Sequence, residues 1–309
     1  MPEVAYIAVD WGTSSFRLWA TDTDGTVINE VRLNQGMASL RPEDYPSVLS
    51  ETLGSIGAKS GLPTVICGMA GAQQAWRDAG YVDIPTRLDD IAGKAKSIPG
   101  SAGLIRLIPG LAQRDPVNPD VMRGEETQLL GAIGPGRTNG TFCMPGTHSK
   151  WVQIADSAVE HFSTSMTGEV YAILRSHSVL SHSTAGANTN TAEHPAFAQA
   201  VREALAQPEK ILSKLFSVRS RALLFTETEP EEMRARLSGL LLGVEIAGAK
   251  EHVQGIVNLV SNGPLAAGYR QALSIAGIAC DLLDGEAVTR GGLHHVACQL
   301  WPDLIGADR

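Results

Sequence analysis

Cysteine is sparse in this 309-residue chain: Cys67, Cys143, Cys280 and Cys298 lie far apart and form no CxxC pair. That spacing argues against a disulfide framework or a cysteine zinc site and points to free, buried thiols. Long apolar runs are missing too. The most apolar helical stretch, Leu237 to Ala249, contains Glu245 and three glycines and is too short to cross a bilayer. No basic segment precedes the first apolar run, which ends at Asp10; it reads as a strand and not a secretory leader, so a cytoplasmic location is expected. Positive charge is not in excess. With 25 Lys and Arg against 33 Asp and Glu the net charge is −8, which disfavours nucleic acid or membrane binding through bulk charge but leaves room for a local anion site. The eight histidines form no HExxH, and His294–His295 suits a helix surface or cap, so no structural metal is expected. Neither GxxxxGKS/T nor GxGxxG occurs, which removes the main support for P-loop and Rossmann sites.

Glycine is abundant instead. With 32 Gly and 16 Pro, roughly 16% of the chain, usage is above ordinary yet far from collagenous or low-complexity composition. At about 150 residues per domain the length suggests two domains, each able to bury a core. Three consecutive antiparallel strands open the chain: VAYIAV (4–9), FRLWAT (16–21) and TVINEVRL (26–33). Residues 43–58 carry Tyr45, Val48, Leu49, Leu53 and Ile56 at helical spacing, and a strand at 63–67 runs into the small-residue loop GMAGAQ. A strand at 103–108 and a Pro-rich stretch follow. Gly124 then begins a helix with Glu in its first turn, as the helix dipole favours. GPGRTNG (134–140) is the best linker candidate. Beyond it the pattern restarts with TFCMP, the loop GTHS, KWVQIA and AVEHFS. After residue 167 mainly helix is expected, with one strand, GIVNLV (255–260), and a loop over 181–194.

Placing Gly12-Thr13-Ser14-Ser15 over Gly146-Thr147-His148-Ser149 superposes two strand–GTxS–strand units 134 positions apart. In each, glycine lets the backbone approach an anion while N–H groups and hydroxyls point at it, which suits phosphate. Asp10 can hold hydrated magnesium, an ion that keeps several waters and takes one or two carboxylates. The second copy lacks the Asp and carries His148 and Lys150, groups suited to anionic oxygens. A single such hairpin would pass as an ordinary Ser/Thr-rich turn. Its recurrence favours phosphate binding.

Four stretches then carry a resemblance. VDWGTSSFRLWA, MRGEETQLLGA, MPGTHSKWV and SNGPLAAGYRQAL, in this order, resemble the 2-dehydro-3-deoxygalactonokinase family of the actin-like ATPase superfamily, which includes the sugar kinases. The similarity runs over nearly the whole chain. It implies an α/β fold of two ribonuclease-H-like lobes with a cleft between them. Residues 1–134 would hold the first phosphate loop and the sugar-acid site; residues 135–309 would hold the second phosphate loop and the adenosine site, the last helix being free to return to the first lobe. The implied reaction is ATP- and Mg2+-dependent phosphorylation of the 6-hydroxyl of 2-dehydro-3-deoxy-D-galactonate, in galactonate breakdown. ATP phosphates then fall to Asp10, Gly12, Thr13, Ser14, Gly146, Thr147, His148, Ser149 and Lys150, with the metal on Asp10.

The segment Arg123-Gly124-Glu125-Glu126-Thr127 precedes the linker. Alone, a Glu pair in a first helical turn is an ordinary dipole partner. In FGGY-type sugar kinases a Gly-Asp-Gln-Gln stretch at the matching place supplies the catalytic Asp. The resemblance therefore implies Glu125 as base for the substrate hydroxyl, with Glu126 the adjacent alternative, although Glu departs from the usual Asp. Ser261-Asn262-Gly263-Pro264 would pass as a strand-to-helix turn with Asn as N-cap and Pro in the first turn; the resemblance implies that Asn262, Gly263 and Pro264 pack on adenosine. For the sugar acid, Cys67 to Gln73, including Gly71, resembles a substrate-facing Gly loop, and Asn34-Gln35-Gly36-Met37 is a second rim. A carboxylate calls for an arginine fork, for which Arg17 and Arg123 are candidates; Arg17 also suits a solvated strand position. Trp11 suits either a wall of the sugar pocket or the core. Another acid-sugar kinase, a nucleotide or polyphosphate phosphatase and a nucleotide-dependent assembly protein remain open alternatives. The expected partner is a small-molecule sugar acid, with no nucleic acid and no membrane; a homo-oligomer is compatible with the sequence.

Overall fold

The computed structural model describes residues 3–59, 61–101, 103–134, 137–186, 191–225 and 227–305. Parts of the expected linker (135–136) and of the expected loop (187–190) lie outside the described residues. By its contacts the chain divides into two units. The first is Met1–Asn139, Ile154–His161 and Gly285–Arg309; the second is Gly140–Gln153 and Phe162–Asp284.

The first unit is built on β1 (Tyr6–Trp11), β2 (Phe16–Thr21), β3 (Val27–Leu33), α1 (Tyr45–Ser55) and β4 (Thr64–Gly68). After these come the short strands β5 (Tyr81–Asp83), β6 (Thr86–Arg87), β7 (Lys96–Ser97), β8 (Ile105–Leu107), β9 (Gly110–Gln113) and β10 (Asp120–Met122), and then α2 (Glu125–Ala132). The main sheet runs β3-β2-β1-β4-β8-β7. β1 is antiparallel to β2 and parallel to β4, so it lies inside the sheet, where a near-continuous apolar run is expected. Trp11, Phe16 and Tyr45 share its core, their rings 4.6 and 4.7 Å from that of Trp11. Trp11 is fully buried, which settles it as a core residue and not a sugar wall.

In the second unit come β11 (Gly140–Met144), β12 (Ser149–Ala155), β13 (Ala158–Ser165), α3 (Thr167–His177), α4 (Pro195–Ala206), α5 (Ile211–Leu224), α6 (Pro230–Ala249), β14 (Val257–Val260), α7 (Gly263–Ile275) and β15 (Cys280–Leu283). The strand order β15-β14-β11-β12-β13 repeats the β8-β4-β1-β2-β3 order of the first unit, with β14 parallel to β11 and to β15. Each unit is thus a ribonuclease-H-like α/β layer arrangement. The start of β13, which belongs to the first unit, pairs antiparallel with β6. β15 was not legible in the sequence. Its four residues, CDLL, follow a helix closely and sit at the sheet edge with both central side chains exposed, so no apolar alternation marks them. Among the described residues no helix is long and apolar enough to cross a membrane, and the four cysteines are free, Cys280 and Cys298 only partly buried.

The last helix, α8 (Gly285–Leu300), belongs to the first unit and packs on α2. Two glycines allow the approach. A Cβ on Gly292 would sit 2.9 Å from the Thr127 carbonyl carbon and closer still to its oxygen; one on Gly131 would sit 2.6 Å from Gly292 N. His294 and His295 lie on α8, bonded to the Tyr6 hydroxyl at 2.9 Å and to Asp89 at 3.1 Å, in helix-surface roles.

Candidate functional site

The register of the first hairpin places Asp10 opposite Arg17, as an antiparallel neighbour pair requires. Arg17 Nη1 lies 3.6 Å from Asp10 Oδ2. The turn closes by Gly12 N–H donating to Ser15 O at 2.8 Å, leaving Thr13 and Ser14 exposed. The rim after β3 lies directly on this turn: Met37 N–H donates to Gly12 O at 3.1 Å and Ala38 N–H to Thr13 O at 2.9 Å. Only glycine fits at position 36, since a Cβ there would run into the Thr13 carbonyl and the Ser14 N–H. Gln35 receives the Trp11 indole N–H on its carbonyl at 2.9 Å, so the core tryptophan anchors that rim.

Beside this hairpin β4 ends at Gly68, pairing with Trp11, and α2 starts after Gly124. Gly124 has φ of +104°, a backbone that favours glycine, and a Cβ on it would lie 3.5 Å from Gly68 Cα. The two glutamates that follow diverge. Glu126 is fully buried; its carboxylate accepts the Gly124 N–H at 2.6 Å and the Thr127 hydroxyl at 2.9 Å. Burial, reinforced by the neighbouring charge of Glu125, pushes the Glu126 carboxyl up to about 7. Glu125 is partly exposed and accepts the Arg123 N–H at 3.1 Å. Asp10 is also raised above the usual carboxylate range, chiefly by burial; Arg17 opposes the shift while Glu125 and Glu286 add to it. One cation therefore faces several acids. Among the described residues no group of three His, Cys, Asp or Glu side chains could hold a metal on its own.

Arg123 is the unusual cation. Its Nη2 donates to Gly80 O at 3.0 Å and its guanidinium stacks 4.5 Å over the Tyr81 ring. Among the described residues, its Nε and Nη1 are buried without a hydrogen-bond partner. Nη1 points to Gly71, where a Cβ would come within 2.9 Å of it. Buried donors left unmet cost free energy, so such an arginine calls for an acceptor from outside the chain.

In the second unit the hairpin between β11 and β12 repeats the first: Thr147 and His148 are exposed as Thr13 and Ser14 are. The start of α3 braces it. Glu169 N–H donates to Thr147 O at 3.0 Å, and the Glu169 carboxylate meets His148 Nε2 at 2.6 Å. A Cβ on Gly168 would approach Thr147 Cα to 2.9 Å, so only glycine permits this packing. Next to Gly146 opens a pocket of about 410 Å3, walled by Tyr171, Leu241, Leu242, Pro264, Leu265 and Gly268. It is mainly apolar with a few hydroxyls, as small-molecule sites are.

Residues 10–296 match the family model described as 2-keto-3-deoxy-galactonokinase. The chain belongs to that family. A relative from Rhizobium meliloti (strain 1021), "Probable 2-dehydro-3-deoxygalactonokinase DgoK1", is 47% identical over 301 residues, covering 96% of this chain and 98% of that protein. The 2-dehydro-3-deoxygalactonokinase of Escherichia coli (strain K12) is 33% identical over 295 residues, covering 94% and 97%. A crystal structure from Sinorhizobium meliloti carrying the same kinase name superposes with a TM-score of 0.91 at 47% identity, covering 96% of this chain and 99% of that one. The activator of 2-hydroxyisocaproyl-CoA dehydratase from Clostridium difficile, solved with ADPNP, matches at a TM-score of 0.53 and 12% identity over 96% of each chain, a likeness of fold alone. As a member of this kinase family the chain is a phosphotransferase with the actin-like ATPase type of fold.

Within the family frame, the structure moves several of the sequence-chosen residues. Ser149 is fully buried and its hydroxyl meets Tyr269 Oη at 2.6 Å, so its side chain faces the core and not a phosphate. Lys150 is buried too, with Nζ donating to His148 O at 3.1 Å; it ties the hairpin to itself. Asn262 occupies the N-cap position of α7 but makes no side-chain cap there; its amide donates to Asp284 at 2.8 Å. Of the Asn262-Gly263-Pro264 turn, Pro264 lines the pocket, and Gly263 takes a φ of +59° that starts the helix. Sequence reasoning missed Gly168, Glu169, Tyr171 and Glu245. Glu245 did leave a signal: it is an acid in the most apolar helical stretch, which demands buried donors.

Proposed function

We propose that this chain transfers the γ-phosphoryl group of ATP to the 6-hydroxyl of 2-dehydro-3-deoxy-D-galactonate, in the cytoplasm, as a step of galactonate catabolism. Its membership of the 2-keto-3-deoxy-galactonokinase family supports the kinase chemistry and the sugar-acid class. The observation that carries the acid is Arg123, a buried guanidinium with two donors unmet beside Gly71. A planar fork of this kind matches a carboxylate in orientation and in charge. Arg17 is a weaker candidate because it already faces Asp10. Gln35, Gly36 and Gly71 form the rim for the rest of the sugar.

Phosphoryl transfer needs mainly positioning and charge neutralisation. In the second unit Gly146, Thr147 and His148 meet phosphate oxygens, and the pocket walled by Pro264 and Leu265 takes adenosine. In the first, Gly12, Thr13 and Ser14 offer backbone N–H groups and hydroxyls to the phosphates. Asp10 suits magnesium: its carboxylate is under-neutralised, with Arg17 at 3.6 Å and the Cys67 thiol at 3.9 Å, both too far for tight pairing. Bound there with waters and phosphate oxygens as its other ligands, magnesium would supply charge neutralisation. Glu125 takes the proton of the 6-hydroxyl. It suits the role better than Glu126 because it is partly exposed, whereas Glu126 is fully buried.

A coupled ADP-release assay over a panel of 2-keto-3-deoxy sugar acids tests the reading. Activity on the galactonate-derived acid well above its gluconate-derived epimer is expected, and no activity on either overturns it. Phosphate release without any acceptor would instead mark a hydrolase.

A further inference from the structure

Behind the pocket of the second unit lies a buried carboxylate that the proposed reaction does not use. Glu245 is 6% exposed, on α6, and does not line the pocket. It receives the Trp151 indole N–H at 2.9 Å, the Tyr269 hydroxyl at 2.8 Å and the Thr167 hydroxyl. A tyrosine hydroxyl has one proton to give. With its hydroxyl donating to Glu245, Tyr269 accepts from the Ser149 hydroxyl at 2.6 Å, so the bonds run in one direction, Ser149 to Tyr269 to Glu245.

These donors come from three elements besides α6. Ser149 and Trp151 begin β12, at the foot of the hairpin that holds Gly146 to His148; Thr167 is the first residue of α3, next to Gly168; Tyr269 lies on α7, one turn after Leu265. Thr167 and Tyr269 themselves line the pocket, while Trp151 does not. Burial raises the Glu245 carboxyl above the usual carboxylate range, and four side-chain hydrogen bonds pull against that shift. Low local polarity makes such a network stiff when fully satisfied.

We propose that Glu245 is a positioning residue for the nucleotide, holding the second phosphate hairpin, the start of α3 and α7 in the arrangement that ATP meets. The proposal rests on the nucleotide reading of this pocket given above. Glu245→Gln keeps the size but places an amide N–H2 among converging donors, so at least one donor loses its acceptor. The experiment is steady-state kinetics well below the unfolding temperature, with each substrate varied in turn, alongside thermal melts with and without ADP. The expected result is a KM for ATP raised about tenfold or more with the KM for the sugar acid within about twofold, and a smaller stabilisation by ADP. Trp151→Phe removes one donor without touching the pocket, and should move the KM for ATP in the same direction; it serves if Glu245→Gln does not fold. A lower melting temperature with both KM values unchanged, in whichever variant folds, overturns the proposal and leaves a purely structural network. Gly268→Val separates the underlying reading: if filling the pocket leaves the KM for ATP unchanged, the nucleotide reading of the pocket has failed, not merely the role of Glu245.

Discussion

Gly292→Ala on α8 is a test of how α2, the helix that carries Glu125, is held. The new Cβ would sit 2.9 Å from the Thr127 carbonyl carbon and 3.1 Å from its Cγ2, against the 3.4 Å at which ordinary contact begins, and closer still to the carbonyl oxygen. The obstacle is mostly backbone, so no rotamer change relieves it, and clearing the carbonyl oxygen, the nearest atom, requires the helices to part by about 1 Å. Overpacking of this kind costs roughly 1–3 kcal/mol, and the gain of up to about 1 kcal/mol from alanine's better helix propensity only partly offsets it. A net loss of about 1–2 kcal/mol corresponds to a fall of several degrees in Tm for a chain of this size. Function should suffer more. Thr127 lies two residues after Glu125, and a misplacement approaching 1 Å can cost up to about 100-fold in turnover. Thermal denaturation and kcat at saturating substrates measure both, with Gly54→Ala as the control, since a Cβ there meets nothing within 4 Å. If Gly292→Ala melts no lower than the parent and keeps kcat within about twofold, the close α2–α8 contact does not position Glu125.

Other predictions follow the same geometry. Glu125→Gln should abolish most turnover while ADP binding, followed by calorimetry, stays nearly intact; full activity in Glu125→Gln with loss in Glu126→Gln would transfer the base role to Glu126. Arg123→Lys keeps the charge but loses the fork, so the KM for the sugar acid should rise about tenfold or more with that for ATP unchanged; an unaltered sugar-acid KM would remove Arg123 from the carboxylate site. Burial moves Glu126 from its ordinary value of 4.5 to about 7, so between these values the folded protein holds a proton that the unfolded chain has released. Stability conferred by that proton is full below pH 4.5 and is lost as pH rises to about 7, roughly 3 kcal/mol in all. The melting-temperature gap between Glu126→Gln and the parent should therefore shift in the variant's favour from pH 5 to pH 8, and a pH-independent gap would refute the assignment.

Much of the first unit was legible because its cues are local. The near-continuously buried strand FRLWAT, broken only at Arg17, the short GTSS turn and the Gly-Glu-Glu helix start each depend on a few adjacent residues. The repeat at 146–149 was legible for the same reason, and the matching strand orders of the two units show why the same four-residue pattern occurs twice. β15 escaped because four residues with an exposed centre carry no period. The buried state of Glu126 beside a partly exposed Glu125 was equally hidden, since adjacent residues in a first turn look alike until something packs on one of them.

The sequence by itself determined the opening three-stranded run, the two GTxS hairpins, the glycine-led start of α2 and the family, all set by residues close together in the chain. Tertiary structure alone decided how side-chain hydrogen bonds are allotted. Ser149 meets Tyr269, 120 residues away, and Trp151 meets Glu245, 94 away, so a hydroxyl placed in a phosphate motif is engaged in the core instead. Arg123 shows the converse, because among the described residues no remote element supplies the acceptors that two of its buried donors lack. Each donor has a limited number of bonds to give, and which partner comes within 3 Å depends on how distant segments pack, a quantity that local spacing does not encode.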